Sequence, residues 1–115
     1  KLPISYMVGN LDDRYMPLNN NQPLPMDMAA FFAVPFFTGV TRSYVQSFGL
    51  QQTYTLSGPP GIEPVATFAS ATGAPGNLFH MIVVKDLTHI YPNGDNFPLS
   101  APNQLWDFFK LYTLP

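Results

Sequence analysis

The sequence predicts an α/β domain with a mostly parallel sheet and flanking helices. Short apolar runs that stop at glycine or turn residues alternate with segments whose apolar residues recur at helical spacing. A chain of 115 residues forms one domain at most and is short for a doubly wound α/β enzyme. It also begins at Lys1 directly with a strand pattern. We therefore expect residues 1–115 to be the C-terminal segment of one larger domain, with its N-terminal half missing.

The first predicted elements are a strand and two helices. Residues 4–8 are mostly apolar and stop at Gly9, which is typical of a strand buried on both faces of a parallel sheet. Asp27 can cap a first helix, which Pro35 ends or kinks. Apolar residues at helical spacing then predict a second helix that Gly49 terminates: Val40, Tyr44, Val45 and Phe48.

The second half of the chain predicts a hairpin and a closing helix. Residues 65–69 and 78–84 have strand patterns, and the loop 72–77 has the composition of a chain reversal, so the two strands should be antiparallel. Ser100 is a suitable N-cap for a helix with Pro102 in its first turn. One stripe of that helix should pack against the sheet: Leu105, Phe108, Phe109 and Tyr112.

Composition excludes several kinds of partner and site. Only 10% of residues are charged and the net charge is −2, so no basic stripe is available for phosphates and we expect no nucleic-acid partner. No apolar run approaches the ~20 residues of a membrane span, so we expect no membrane partner. Without cysteine there are no disulfides or thiolate ligands. His80, His89 and the scattered aspartates lack tight ligand spacing, so we expect no metal and no cofactor.

The polar residues bear weakly on the compartment. A low share of Lys, Arg and Glu accompanies abundant Asn, Gln, Ser, Thr and Pro. This composition suggests a secreted or periplasmic protein, but it leaves the compartment undetermined.

Two candidate catalytic groups follow predicted strands. Asp12 and Asp13 come after Gly9, at the edge where α/β sheets bind ligands, and His89 comes after strand 78–84 and before the turn 91–94. A histidine can accept and return a proton near neutral pH, and a carboxylate can fix its tautomer and stabilise the imidazolium. An ordinary polar turn and a surface histidine explain the same residues. Only neighbouring strands would bring the acid to the histidine.

No nucleophile accompanies these groups. Serine hydrolases with an α/β fold carry their nucleophilic serine in the motif Gly-x-Ser-x-Gly. The chain contains no such motif. Ser47 precedes Gly49 but follows Val45, and Gly49 is more simply the end of a helix. These residues alone are therefore not expected to hydrolyse a substrate.

Three short motifs occur in order along the chain: Gly9-Asn10-Leu11-Asp12 followed by Pro17, then His89-Ile90-Tyr91-Pro92-Asn93-Gly94, then Trp106-Asp107-Phe108-Phe109. In order and spacing they resemble the polyhydroxybutyrate depolymerase and feruloyl esterase group of α/β-hydrolases. The resemblance implies an α/β-hydrolase fold, with Asp12 as the triad acid and His89 as the triad base.

The motifs also depart from the family. Val8 stands where the family has a histidine, and Pro17 lies one residue farther from Asp12 than expected, which leaves Asp13 as the alternative acid. Residues 85–88 replace a glycine-rich approach to His89.

The function that the resemblance implies is that of a serine carboxylic-ester hydrolase, either a feruloyl or acetyl esterase or a polyhydroxyalkanoate depolymerase. Its substrate would be a small ester or a polysaccharide ester, and its partner the N-terminal half of the same hydrolase, linked covalently or as a separate chain. A serine peptidase of the prolyl-oligopeptidase type shares similar loops and stays an alternative. A non-catalytic α/β-hydrolase relative that acts as a binding module is the other.

Overall fold

The computed structural model describes residues 2–112 and confirms the α/β class. Strands and helices follow one another along this part of the chain. Their bounds are β1 Ile4–Gly9, a 3₁₀ helix Met16–Asn19, α1 Met28–Ala33, α2 Pro35–Phe48, β2 Thr55–Ser57, β3 Val65–Ala69, β4 Leu78–Val84 and α3 Ala101–Phe109.

The four strands form one mixed sheet in the order β1-β4-β3-β2. β1 and β4 are parallel, whereas β4 with β3 and β3 with β2 are antiparallel. The predicted hairpin of residues 65–69 and 78–84 is confirmed. The prediction of a mostly parallel sheet is wrong, because short connections join β2, β3 and β4, and such connections permit only antiparallel neighbours. The one parallel pairing in residues 2–112 joins β1 to β4, and the long path between them runs through α1, α2, β2 and β3.

β1 lies at one edge of this sheet and pairs with β4 alone among the described strands. Only its last two residues, Val8 and Gly9, are buried, and Ile4 to Met7 are partly exposed. The prediction of a strand buried on both faces is therefore wrong for most of β1. The strand is nevertheless apolar, so its exposed edge and face are less polar than a solvated edge strand usually is.

The predicted helix boundaries are confirmed. The Asp27 side chain accepts a hydrogen bond of 2.9 Å from the Ala30 N–H at the start of α1. Pro35 ends α1 and begins α2, since a proline has no N–H to donate and fits the first turn. Gly49 ends α2 at φ 63°, in the left-handed region that favours glycine. Ser100 caps α3 through the Asn103 N–H.

Helices α1 and α2 cover one face of the sheet and form the main core there. This core is rich in aromatic rings, with Phe31 and Phe37 stacked at 4.2 Å and Tyr44 on Phe79 at 4.6 Å. On the opposite face a smaller cluster joins Val65, Ile82, Val84 and Leu87 to Met7, Phe97 and Leu99.

Helix α3 packs on this second face, as predicted, through Phe108, whose ring stacks on His80 at 4.2 Å. The predicted stripe is only partly covered, because Phe109 is exposed and Ala101 is the one fully buried residue of α3. Within residues 2–112, no helix has the length and apolar character needed to cross a membrane.

Candidate active site

The parallel pairing of β1 with β4 brings two loops together at the carboxyl ends of these strands. Gly9 lies opposite Val84, so the chain leaves both strands at the same level. The ladder then continues into the loops: the Asn10 N–H donates to the Val84 carbonyl at 3.0 Å, and the Leu11 N–H donates to the Leu87 carbonyl at 3.1 Å. The loop after β1 and the loop after β4 therefore form one backbone-bonded unit.

Gly9 permits the close approach of these loops. A Cβ atom at Gly9 would lie 2.0 Å from the Leu87 carbonyl oxygen and 2.5 Å from its carbon. Both are backbone atoms and cannot rotate away as a side chain could. Glycine at this position is thus a steric requirement for placing the histidine loop against the acid loop.

Asn10 joins the same two loops through its side chain. Its Oδ1 accepts a hydrogen bond of 2.7 Å from the Asp86 N–H, and the residue is buried. Asp86 has φ 63°, a conformation more usual for glycine. Asp86 therefore takes the backbone conformation that glycine would adopt easily, and the hydrogen bond from its N–H to Asn10 stabilises that conformation. The turn can thus form although residues 85–88 contain no glycine.

Asp12 is held by its backbone and by both carboxylate oxygens. Its carbonyl accepts from Tyr15 and Met16 N–H groups as the 3₁₀ helix begins. Oδ1 accepts a bond of 2.9 Å from the Arg14 N–H, and Oδ2 lies 2.7 Å from Nδ1 of His89. The residue is only 4% exposed. A buried carboxylate with both oxygens engaged keeps one orientation.

His89 is paired with Asp12 through Nδ1 and remains half exposed, with 48% of its side chain accessible. A carboxylate accepts hydrogen bonds, so Nδ1 must carry the proton and Nε2 is the basic nitrogen. Nε2 has no hydrogen-bond partner among residues 2–112. A histidine held by a buried acid, with its basic nitrogen free, has the arrangement needed to accept a proton from a third group.

The structure distinguishes the two candidate acids. Asp13 is exposed, and its carboxylate has no hydrogen-bond partner within the described part of the chain. The position of Pro17 left Asp13 as the alternative acid. Asp12, not Asp13, contacts His89.

His80, to which the sequence assigned no role, lies on β4 against Phe108. Burial lowers the pKa of His80 from its ordinary value of 6.5. It is therefore a packed, neutral ring of the second face.

A groove of about 420 Å³ runs beside the Asp12–His89 pair. It follows β1 and is closed on the far side by the histidine loop and the start of α3. Its lining is mostly apolar with a few polar groups, as in many small-molecule sites: Ser5, Met7, Val8, Gly9, Asp12, Tyr15, Leu87, Thr88, His89, Ile90, Tyr91, Pro92, Ala101 and Leu105.

The segment after His89 is anchored to α3. The Pro92 carbonyl accepts from the Ala101 N–H at 2.8 Å, and the Gly94 N–H donates to the Leu99 carbonyl at 3.1 Å. Asn93 Oδ1 accepts from the N–H groups of Asp95 and Asn96. The proline and glycine of the predicted turn thus tie the histidine loop to the last helix, which fixes one wall of the groove.

A second pair of polar groups lies near the site. The hydroxyls of Tyr6 and Tyr15 are 3.0 Å apart, and Tyr15 lines the groove. Burial, followed by the hydrogen bond with Tyr15, raises the pKa of Tyr6 above its ordinary value of 10. The Tyr6 hydroxyl therefore stays neutral throughout the physiological pH range.

The described residues provide no serine nucleophile for His89. Ser5 is the serine that lines the groove, and it lies four residues before Gly9 on β1. At ~3.3 Å per residue that is about 13 Å from the end of the strand. Within residues 2–112, no group of three or more His, Cys, Asp or Glu side chains could hold a metal ion.

Sequence reasoning named Asp12 and His89 as candidates but did not name Asn10, Asp86 or the Tyr6–Tyr15 pair. The contact between Asn10 and Asp86 joins residues 76 positions apart, and it has no local pattern. The spacing of Tyr6 and Tyr15 across Gly9 gives no signal either, because their meeting depends on the path of the loop between them.

Comparison of the chain with protein-family models, with curated proteins and with solved structures gives no match.

Proposed function

We propose that this chain contributes the acid and the histidine of a serine carboxylic-ester hydrolase whose nucleophilic serine lies outside residues 1–115. The observation that carries the proposal is the 2.7 Å hydrogen bond between buried Asp12 and Nδ1 of His89, at the rim of a groove. It orients Nε2 as a free base. The order of acid before histidine, each after one of two adjacent parallel strands, also agrees with the resemblance to α/β-hydrolases.

In the proposed reaction, Nε2 of His89 removes the serine hydroxyl proton as the serine oxygen attacks the ester carbonyl. The imidazolium then donates that proton to the leaving alcohol, and an acyl-enzyme remains. A water molecule, deprotonated by the same nitrogen, attacks the acyl group and releases the carboxylic acid and the free serine. Asp12 keeps its hydrogen bond to Nδ1 throughout and stabilises the imidazolium.

The edge of β1 is where we propose that the rest of the enzyme joins this chain. The edge opposite β4 has no partner in residues 2–112, and the groove follows it to the Asp12–His89 pair. A further strand would satisfy the backbone groups there and would continue the sheet toward a nucleophile. Under this proposal the partner is the N-terminal half of the same α/β-hydrolase domain.

The groove favours a neutral ester over a charged one. Its lining includes the Asp12 carboxylate but no Lys or Arg, and its walls are mostly apolar. Small feruloyl, acetyl or hydroxyalkanoate esters, free or attached to a polysaccharide, meet these conditions.

Labelling with a fluorophosphonate tests the proposal, because this reagent modifies only an activated serine. The protein and every polypeptide that copurifies with it are labelled, and the modified peptide is found by mass spectrometry. We expect the adduct on a serine in Gly-x-Ser-x-Gly outside residues 1–115. His89→Ala and Asp12→Asn should slow the labelling by at least about a hundredfold, in line with the contribution of a general base. Asp13→Asn is the matched control and should label at the normal rate.

Two results would contradict the proposal. No adduct in any copurifying polypeptide would favour a binding module, and normal labelling of His89→Ala would remove this histidine from the reaction. If labelling succeeds, comparison of p-nitrophenyl acetate with a proline-containing peptide substrate separates an esterase from a prolyl-oligopeptidase-type peptidase.

A further inference from the structure

A second cavity, of about 280 Å³, lies between α1, α2 and the segment that follows α2. Helix α2 provides most of its wall through residues three or four positions apart, which share one face of a helix: Thr38, Thr41, Arg42, Val45 and Gln46. Phe32 of α1 and Gln52 complete the lining. No residue lines both this cavity and the groove beside His89. The cavity is therefore separate from the candidate active site.

One side of the cavity is apolar and rests on the main core. The Phe32 ring packs edge-on against Phe31 and against Phe68, with 5.5 Å between the ring centroids in each pair. Phe31 and Phe68 are buried members of the core, and Val45, the other apolar residue of the lining, is buried as well. These contacts support an apolar surface that suits a hydrocarbon group.

The other side of the cavity is polar and positively charged. Among the described residues that line the cavity, Arg42 alone is charged, and its guanidinium forms no ion pair within residues 2–112. An arginine is protonated at any physiological pH, and its planar group can donate two parallel hydrogen bonds to a carboxylate. Gln46 and Gln52 add amide N–H donors without adding charge. The polar side of the cavity therefore favours an anion.

Thr41 brings an unsatisfied hydroxyl to the same lining. Its Oγ1 is buried and has no hydrogen-bond partner in the described part of the chain. The hydroxyl of Thr38, one turn earlier, is instead satisfied by the Val34 carbonyl at 3.2 Å. A buried hydroxyl without a partner is unfavourable and rare in native proteins. Threonine in a helix has two accessible rotamers, so the Thr41 hydroxyl can turn toward an acceptor in the cavity.

We propose that this cavity binds a small organic carboxylate with an apolar tail. The carboxylate accepts hydrogen bonds from Arg42 and Thr41, and the tail lies on Phe32. An inorganic anion would leave the apolar side without a contact, and a neutral hydrocarbon would leave Arg42 unpaired. The volume lies just below the range of about 300–1,000 Å³ that is usual for ligand sites, so the ligand is small.

Hexanoate and hexanamide test this inference, because they share one tail and differ in charge. Their dissociation constants are measured by NMR titration of the purified protein with any polypeptide that copurifies. We expect hexanoate to bind about tenfold more tightly, in line with hydrogen bonds to a charged but partly solvated group. Arg42→Gln should abolish this preference, and Arg42→Lys should retain only part of it. Thr41→Val should weaken hexanoate binding about three- to tenfold.

Acetate tests the apolar side of the cavity. It has the same carboxylate as hexanoate without the longer tail, so we expect it to bind at least about tenfold more weakly. The NMR signals that shift with hexanoate should include those of Phe32 and Val45. Equal affinity of acetate and hexanoate, or shifts confined to residues of the groove beside His89, would overturn the inference.

Arg14→Gln is the matched control for charge. Its side chain also forms no ion pair within residues 2–112, and it does not line the cavity. No binding of hexanoate, equal affinity for hexanoate and hexanamide, an unchanged preference in Arg42→Gln, or an equal loss in Arg14→Gln would each overturn the inference. Unchanged hexanoate affinity in Thr41→Val would do so as well. The outcome does not depend on the fluorophosphonate labelling, because the cavity and the groove share no residue.

Discussion

The two faces of the sheet differ in how completely they are covered. On the α1–α2 face, Phe79, Met81 and Val83 of β4 are fully buried against a continuous aromatic core. On the α3 face, Trp106 is 67% exposed and Leu111 is 71% exposed, and the site groove opens beside β1. The α1–α2 face is covered and forms the main core. The α3 face carries both the candidate site and much exposed apolar surface.

The two faces therefore differ in what they contribute to the molecule. Exposed apolar patches on a soluble domain commonly mark contact surfaces. We infer that the α1–α2 face supplies most of the folding free energy, while the acid and histidine loops depend on a few specific contacts. The following variants test that division, from the largest effect to the smallest.

Phe79→Ala should be the most damaging change. It removes a fully buried ring that stacks on Tyr44, and Phe→Ala in a core costs about 3–5 kcal/mol in the free energy of unfolding. His80→Ala, the next residue of β4 on the opposite face, loses only a partly exposed stack on Phe108 and should cost about 1 kcal/mol. Urea denaturation measures both. Equal losses would mean that the two faces contribute alike.

Gly9→Ala should disrupt the site and the fold together. The added Cβ would meet the Leu87 carbonyl, so the histidine loop must move, and we expect a loss of about 1–3 kcal/mol. The Asp12–His89 hydrogen bond should break in the same variant. Gly39→Ala in α2 is the control, since its Cβ meets no atom within 4 Å and alanine favours helix by about 1 kcal/mol. If Gly9→Ala is as stable as the unaltered chain, the close packing of the two loops is not needed.

Asn10→Ala tests whether the order of the His89 loop depends on the hydrogen bond between Asn10 and Asp86. It leaves the Asp86 N–H without its acceptor and should cost about 1–2 kcal/mol. Asn77→Ala, which removes a partly buried hydrogen bond of 2.8 Å to the Phe48 carbonyl, should cost a similar amount. Only Asn10→Ala should change the NMR signals of the His89 ring. A change of those signals in Asn77→Ala would contradict the independence of the two regions.

The smallest expected effect is the one that His80 has on the pH dependence of the free energy of unfolding. Because burial lowers its pKa in the folded state, the unfolded chain binds its proton first as the pH falls below 6.5. The free energy of unfolding contributed by the neutral ring is therefore present above pH 6.5 and is lost as the pH falls toward the lowered pKa. His80→Phe should flatten this part of the stability profile, whereas His89→Gln should leave the His80 contribution in place. An unchanged slope in His80→Phe would contradict the burial effect.

Much of the local structure could be predicted because its signals are local. Asp27, Pro35 and Gly49 act on backbone groups within four residues, so their positions bound α1 and α2 correctly. The hairpin of β3 and β4 follows from two apolar runs joined by a short turn. The Asp12–His89 pair could be anticipated because both residues follow strands, and parallel neighbours end at one edge.

The remaining features depend on contacts that no local pattern records. β2 was missed because all three of its residues are exposed and show no buried alternation. The prediction of a mostly parallel sheet was wrong because a short apolar strand has the same composition in parallel and antiparallel sheets. The selection of Asp12 over Asp13 required the path of the loop, since neighbouring carboxylates differ only in where the turn directs them.

The imidazole tautomer of His89 tests the central claim most directly. Long-range ¹H–¹⁵N correlation spectra at neutral pH distinguish protonated from bare ring nitrogens. The Asp12 contact predicts a proton on Nδ1 and a bare Nε2, with this pattern lost in Asp12→Asn and kept in Asp13→Asn. A proton on Nε2 in the unaltered chain, or the same response to both substitutions, would contradict the assignment of Asp12 and His89 as a working acid–base pair.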